Sequence, residues 1–158
     1  MNKKNDTIIS KKNIRLLLED LVGIYSPYFK EKPIMTYVYN WLKDKNIPVE
    51  YHKYHDEKVT KFECINIIGN LNGGNNGPKV LLNGHLDTVQ ICEGWDTEPT
   101  VPVIKGEKLY GLGSLDMKSG VGAMMIALQA FNENHKKFKG SIVYSFVSDE
   151  EGPYGLGT

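Results

Sequence analysis

Three short stretches of the sequence carry side chains whose types and spacing could support chemistry. In VLLNGHLDTV, residues 80–89, His85 and Asp87 stand two positions apart, so on an extended backbone both side chains point the same way. A carboxylate beside a histidine can hold the imidazole in the tautomer that binds zinc. Taken alone, this stretch slightly favours a structural histidine whose hydrogen bonds are satisfied at the end of a strand.

The second stretch, GLGSLDMKSGVG at residues 111–122, has the glycine content of a phosphate-binding loop. The phosphate-loop pattern requires a glycine directly before Lys-Ser, and Met117 occupies that place. The dinucleotide-binding pattern requires its third glycine where Asp116 stands, and a carboxylate there would repel phosphate. Both nucleotide-binding interpretations therefore fail at the centre of the motif.

The third stretch is FVSDEEG, residues 146–152, in which an apolar strand is followed by three consecutive acids. An acidic run usually forms a solvated turn. Here, however, the acids share with His85, Asp87 and Asp116 a position next to apolar segments, and ligands of open α/β sheets gather at the carboxyl ends of strands. Imidazole and carboxylates without thiolate suit zinc, cobalt or manganese, and an aspartate can bridge two ions. Together the stretches predict a metal site.

The three stretches, taken in order, resemble the signature of a known enzyme family. NGHLDTV, LYGLGSLDMKSG and SDEEG are similar to blocks of the dinuclear zinc amidohydrolases and exopeptidases that include acetylornithine deacetylase, succinyl-diaminopimelate desuccinylase, aminoacylase and carboxypeptidase G. The resemblance covers nearly the whole chain. It implies that His85 binds one zinc ion, that Asp116 bridges both ions and that Glu151 binds the second.

The resemblance also implies roles for two neighbouring acids and a reaction. Asp87 would support His85, and Glu150 would be the general base in hydrolysis of an amide or peptide bond by a metal-bridging water. The Asp116-Met117 peptide bond would be cis. The implied cofactor is Zn²⁺, two ions per complete site, with Co²⁺ or Mn²⁺ as alternatives. The implied substrate is a small N-acyl amino acid or a short peptide.

The sequence departs from the family pattern in two positions and in length. Leu112 stands where the family usually has arginine, and Ser119 where it usually has glycine. Family enzymes continue further, with another acidic ligand, a late histidine ligand and an inserted domain that pairs subunits. We therefore expect residues 1–158 to be the N-terminal portion of the catalytic domain, inactive by itself, and the full-length protein to be a homodimer. The alternative is a non-catalytic metal-binding or interaction module derived from the same fold.

The elements that must position these stretches follow from hydrophobic periodicity. A helical stripe predicts a first helix ending before Pro27: Ile14, Leu17, Leu18, Leu21, Val22 and Tyr25. Further elements are a helix from Pro33 to about Asn46, a buried helix over 121–131, a hairpin at Lys105-Gly106, and strands at 47–54, 63–68, 80–82 and 141–147. Strands 80–82 and 141–147 are continuously apolar, which predicts that both are covered on both faces. We expect an α/β fold, a three-layer sandwich of helices around a mixed β-sheet, as in an incomplete zinc-exopeptidase-like catalytic domain.

Composition narrows the partners and the compartment. Nineteen basic and nineteen acidic side chains give no net charge, so nothing suggests a basic surface for nucleic acid or an anionic membrane, and we expect neither as a partner. Cys64 and Cys92 are too few for a disulfide scaffold, so we expect both to be apolar filler in a reducing cytoplasm. No apolar run reaches the length of a membrane span or a signal peptide. His52 and His55 would face opposite sides of a strand, which favours structural roles.

Overall fold

The chain folds into helices packed against a mixed β-sheet. The computed structural model describes residues 8–135 and 137–157. The helices are α1 (Lys11–Gly23), α2 (Lys32–Asp44) and α3 (Ser119–Asn134). The strands are β1 (Glu50–His55), β2 (Glu63–Asn72), β3 (Lys79–His85), β4 (Val103–Lys105), β5 (Lys108–Tyr110) and β6 (Ser141–Val147).

The main sheet has the strand order β1-β2-β6-β3. β2 is antiparallel to both β1 and β6, whereas β3 runs parallel to β6, with His85 opposite Val147. The short strands β4 and β5 form the predicted hairpin, which is separate from the main sheet. Because β3 and β6 are parallel neighbours, their carboxyl ends lie side by side at the same end of the sheet.

The core lies between the helices and one face of the sheet. Ile67, Tyr144 and Phe146 on this face are fully buried in one cluster with residues from all three helices. Complete burial of such side chains stabilises the fold by about 1.5–3 kcal/mol each. α3 approaches β3 closely at Gly84, where a Cβ would lie 2.6 Å from the Met124 methyl carbon. Helix α2 meets the same face through Tyr39, which stacks on Tyr51.

The opposite face of the sheet is open in the described residues. Leu81 is 66% exposed and Val143 on the neighbouring strand is 37% exposed. The expectation that both apolar strands are covered on both faces is therefore wrong for this part of the chain, because β3 is an edge strand and the described helices pack on the other side. The predicted α/β fold with a mixed sheet is confirmed, and its described helices form a layer on one face.

Several element boundaries differ from the sequence prediction. α1 begins after Ser10, whose hydroxyl accepts a hydrogen bond from the Asn13 amide and caps the helix. β2 continues to Asn72 because its backbone keeps pairing with β6, although this end of the strand is polar. Cys64 is buried as predicted, but Cys92 is exposed, so its predicted role as core filler is wrong. Among the described residues, the helices lack the length and apolar character needed to cross a bilayer.

Candidate metal centre

The candidate site stands where the parallel strands β3 and β6 end. His85 closes β3 and pairs with Val147, the last residue of β6. The segments that follow, 86–88 and 148–151, therefore leave the sheet next to each other. The turn before α3 adds Asp116 from a third direction, as its contact with His85 shows. This placement outside the carboxyl ends of strands agrees with the prediction from the sequence.

His85 is the centre of the site and is 6% exposed. Its Nδ1 lies 3.2 Å from the Asp87 carbonyl oxygen and 3.5 Å from the Asp87 carboxylate. On the other side of the ring, Nε2 lies 3.1 Å from Asp116 Oδ1 and 3.8 Å from Glu150 Oε2. With Nδ1 donating to Asp87, Nε2 is the ring atom that faces the accessible carboxylates and is available for a metal.

The electrostatics of His85 favour positive charge at this place. Burial lowers the pKa of His85, but hydrogen bonds to Asp87 and Asp116 outweigh burial and raise the pKa to about 9. The carboxylates thus stabilise an imidazolium cation in the absence of metal. A metal cation bound at Nε2 would replace that proton and meet the same negative surroundings.

The acidic loop after β6 brings two further carboxylates to the histidine. Ligand atoms of His85, Glu150 and Glu151 all lie within 4.8 Å of one another. The backbone amide of Glu151 donates to Asp87 Oδ2 at 2.8 Å, which ties this loop to the segment after β3. Burial, followed by the charge of Asp116, raises the pKa of Glu151. Asp87 therefore contacts both His85 and the loop that carries the acids.

Asp116 lies in the irregular turn Ser114–Lys118, and its side chain is 75% exposed. Asp116 has extended backbone angles, and the Asp116-Met117 peptide bond is cis, as the resemblance implies. Gly113 has φ +75°, and a Cβ there would lie 2.6 Å from Thr88, so the turn requires glycine. The glycines of this motif thus shape the backbone near a carboxylate.

Lys118 anchors the other end of this turn from inside the protein. Its side chain is 1% exposed, and Nζ donates to the carbonyl oxygen of Ile24 at 2.8 Å. Burial lowers the pKa of Lys118 to about 8. The motif residue that a phosphate loop would use to hold phosphate is here a buried support of the turn.

The connection between α1 and α2, residues 24–31, also supports the site, although no motif in the sequence indicated it. The Ser26 hydroxyl donates to the Leu86 carbonyl at 2.8 Å, and the Thr88 amide donates to the Ser26 carbonyl at 2.9 Å. The Glu31 carboxylate accepts from the Asp149 amide at 3.0 Å. No short motif marks these residues, because each acts through contacts with residues that are distant in the sequence. The available signal was that no predicted helix or strand covers residues 26–32.

The donor set fits a zinc-type cation. It combines one imidazole nitrogen with carboxylate oxygens and has no thiolate, as sites for hydrolytic zinc commonly do. Asp87 Oδ1 is buried, and among the described residues it makes no hydrogen bond of ordinary geometry, only the long 3.5 Å contact with His85 Nδ1. Because an unpaired buried carboxylate oxygen is costly, a cation held at His85 would stabilise this arrangement. Asp116 contacts His85 but lies outside the mutual 4.8 Å group.

Comparisons with curated proteins agree with this geometry. Residues 81–158 match the model of peptidase family M20/M25/M40. A succinyl-diaminopimelate desuccinylase from Thioalkalivibrio sulfidiphilus is 36% identical over 119 residues, which are 74% of this chain and 30% of that protein. One from Acinetobacter baumannii is 42% identical over 87 residues, 54% of this chain and 23% of that protein. The chain thus spans less than a third of the length of these relatives.

Solved structures show the same fold. Human carnosine dipeptidase 1 has a TM-score of 0.82 at 23% identity, over 98% of this chain and 36% of that one. A tripeptidase from Staphylococcus aureus has a TM-score of 0.70 at 25% identity, over 94% of this chain and 39% of that one. The resemblance seen in the sequence is confirmed, because residues 81–158 match peptidase family M20/M25/M40 and the named relatives are desuccinylases and peptidases.

Proposed function

We propose that this chain is the N-terminal portion of the catalytic domain of a zinc-dependent hydrolase that cleaves an amide or peptide bond. The observation that carries the proposal is the convergence of His85, Glu150 and Glu151 within 4.8 Å at the carboxyl ends of β3 and β6. The named relatives are desuccinylases and peptidases, which supports a small N-acyl amino acid or a short peptide as the substrate.

The metal-binding residues in this proposal are His85, Asp116 and Glu151. His85 would hold one ion through Nε2, Glu151 would hold the second, and Asp116, which contacts His85, would be shared by both. Asp87 is not a ligand: it holds His85 Nδ1 and the Glu151 amide, and so orients a residue on each side. When bound, the two ions polarise the substrate carbonyl and lower the pKa of water.

Glu150 is the proton-transfer group in this proposal. Its side chain is 48% exposed, and its Oε2 stands 3.8 Å from His85 Nε2, on the accessible side of the site. From there its carboxylate can take a proton from the attacking water and pass it to the departing amine. Glu150 thus needs access to substrate, and its exposure is compatible with that role.

The number of ligands bears on whether the 158-residue chain is active alone. Catalytic zinc sites commonly use about three protein ligands per ion. If two ions share Asp116, then His85, Asp116 and Glu151 together provide each ion with fewer than three protein ligands. We therefore propose that this chain does not turn over substrate. From the family resemblance alone we also propose that the complete protein is a cytoplasmic homodimer. Robust, chelator-sensitive amidase activity of the purified chain would contradict the first part.

The proposed metal site is tested by isothermal titration of the chain with Zn²⁺ or Co²⁺. His85→Ala and Asp116→Ala should each weaken binding by about tenfold or more, in the range found for metal-site substitutions. His52→Ala, which replaces an exposed histidine on β1, is the matched control and should bind metal like the wild type. If neither His85→Ala nor Asp116→Ala weakens binding, the site assignment is wrong.

The open face of the sheet favours a second candidate, a non-catalytic metal-binding or interaction module derived from the same fold. Leu81 is 66% exposed there, which suits contact with another polypeptide surface. The reading frame that contains this chain distinguishes the candidates. The enzyme is supported if the encoded protein includes the further ligands, hydrolyses N-acyl amino acids or dipeptides, and loses this activity when a chelator removes the metal. The non-catalytic module is supported if the encoded protein binds metal but hydrolyses neither class of substrate.

A further inference from the structure

Glu31 has a buried carboxylate that contacts the acidic loop at Asp149. The residue is 4% exposed. Its Oε1 accepts two backbone hydrogen bonds, from Phe29 at 2.9 Å and from Asp149 at 3.0 Å. One oxygen atom therefore joins the start of α2 to the residue that directly precedes Glu150.

The position of Glu31 makes this contact informative. Glu31 immediately precedes α2, where an acidic side chain commonly accepts hydrogen bonds from the first amides of the helix. Its side chain makes no such capping bond. It turns instead toward the loop after β6, so helix capping does not explain it.

The backbone at Asp149 needs support of this kind. Asp149 has φ +56°, in the left-handed region, which costs a residue other than glycine roughly 1–2 kcal/mol. This bend sets the direction in which the chain continues into Glu150 and Glu151. The Asp149 carboxylate closes the loop from within, since its Oδ2 accepts from the Leu156 amide at 2.9 Å. Glu31 fixes the amide on the other side of the same bend.

Keeping a carboxylate here has a cost that the two hydrogen bonds must offset. Burial raises the pKa of Glu31 to about 7, its backbone hydrogen bonds lower it, and the charge of Asp87 raises it further. A neutral apolar side chain would avoid this cost but could not accept the Asp149 amide. An unpaired amide inside the protein would then be left at the bend.

We propose that Glu31 is a positioning residue for the metal centre: its carboxylate oxygen holds the Asp149 bend and thereby aims Glu150 and Glu151 at His85. The inference rests on the proposed function, because it takes Glu151 as a ligand and Glu150 as the base. Glu31 itself touches neither metal nor substrate. In this proposal the position of the bend depends on the side chain being long enough for Oε1 to accept the hydrogen bond from the Asp149 amide. It does not depend on the negative charge of the side chain.

Two variants of Glu31 distinguish the effect of side-chain length from the effect of side-chain charge. Glu31→Gln keeps an oxygen acceptor at the same distance and removes the charge, whereas Glu31→Asp keeps the charge and withdraws the oxygen by one methylene. We expect Glu31→Asp to weaken Co²⁺ binding by the 158-residue chain about tenfold to a hundredfold and to change the visible spectrum of bound Co²⁺. Glu31→Gln should bind within about threefold of the wild type, well below that range. Glu50→Gln, on exposed β1, is the control for loss of an acid elsewhere.

The outcomes distinguish this inference from the proposed function. If His85→Ala in the same series leaves Co²⁺ binding intact, the metal site itself is wrong. If His85→Ala weakens binding but Glu31→Asp does not, or if Glu31→Gln is as weak as Glu31→Asp, only the role of Glu31 is wrong. Should Glu31→Asp fail to fold, hydrogen exchange decides: the Asp149 amide must be protected in the wild type and in Glu31→Gln, and rapid exchange in the wild type overturns the inference.

Discussion

The site contains two groups of polar side chains that differ in burial and in what they contact. The accessible acids, Asp116, Glu150 and Glu151, point toward His85 from three backbone positions. The buried anchors contact backbone amides and carbonyls of the loops that carry those acids or, for Lys118, of the connection between α1 and α2: Glu31, Asn66, Asp87, Lys118 and Asp149. In the proposed function the accessible acids supply the chemistry, and the buried anchors hold the backbone around them.

The difference has a physical cause. Loops beyond the ends of β3 and β6 have backbone groups that the sheet no longer pairs, and buried groups of this kind must find other partners. Asn66 shows the solution, since its side chain accepts from the Ser148 amide at 3.0 Å and donates to the Gly157 carbonyl at 2.8 Å. Substituting a buried anchor should therefore cost folding free energy, whereas substituting an accessible acid should affect metal binding with little cost to folding.

The largest effect on stability is expected for Asp87→Ala. The substitution removes the acceptor of the Glu151 amide and leaves buried His85 without its carboxylate partner. Breaking a buried pair of this kind typically costs about 3–5 kcal/mol of the free energy of unfolding. Urea unfolding measures it, and Asp87→Asn, which keeps an oxygen for the Glu151 amide, should lose less. A stability of Asp87→Ala equal to that of the wild type would show that the anchors do not hold the loop.

The next effect is a pH dependence from Glu31. Because its pKa is raised from 4.5 to about 7, folding favours the protonated acid. The stability associated with the neutral form is present below about pH 4.5 and is lost as the pH rises through about 7, by an amount on the order of 3 kcal/mol. The free energy of unfolding of the wild type should therefore fall relative to that of Glu31→Gln over this interval. Parallel pH profiles for the two proteins would be incompatible with a buried Glu31 carboxyl.

A smaller loss is expected for Gly152→Ala. A Cβ at Gly152 would overlap the buried Asp149 Oδ1, so the loop or the anchor must shift. Overpacking of this kind costs typically about 1–3 kcal/mol. Gly23→Ala is the matched control, because nothing lies within 4 Å of its Cβ position. Thermal unfolding compares the two, and equal melting temperatures for both variants would mean that Asp149 is not held in place.

The sequence indicated most of the site but few of its supports. His85, Asp87, Glu150 and Glu151 follow apolar strands directly, and two strands separated by a buried helix commonly lie parallel and adjacent. The two-residue spacing of His85 and Asp87 correctly predicted that their side chains lie together. Glu31 was not found, because it acts through a contact 118 residues away and belongs to no periodic pattern.

The solvent exposure of individual strand residues also could not be predicted from the sequence. An apolar run predicts a buried strand whatever its neighbours are, but exposure depends on the position of the strand in the sheet and on what covers each face. Leu81 is therefore exposed in spite of its apolar neighbours, since β3 is an edge strand whose second face is open among the described residues. Topology decides this outcome, and topology arises from contacts between distant segments.

The smallest effect on stability is expected for Glu150→Gln. The Glu150 side chain is 48% exposed and lies 3.8 Å from His85 Nε2, so its substitution should change the free energy of unfolding by less than about 0.5 kcal/mol. The same variant also tests which of two acids is the base and which is the metal ligand. The geometry does not distinguish them, since Glu150 and Glu151 both belong to the group around His85.

If Glu150 is the base and Glu151 the ligand, Glu150→Gln should bind Co²⁺ like the wild type, and Glu151→Gln should bind about tenfold or more weakly. Titration of both variants under identical conditions makes the comparison. The reverse order of affinities would exchange the two roles, because a carboxylate that transfers protons can lose its charge without loss of metal, whereas a ligand cannot.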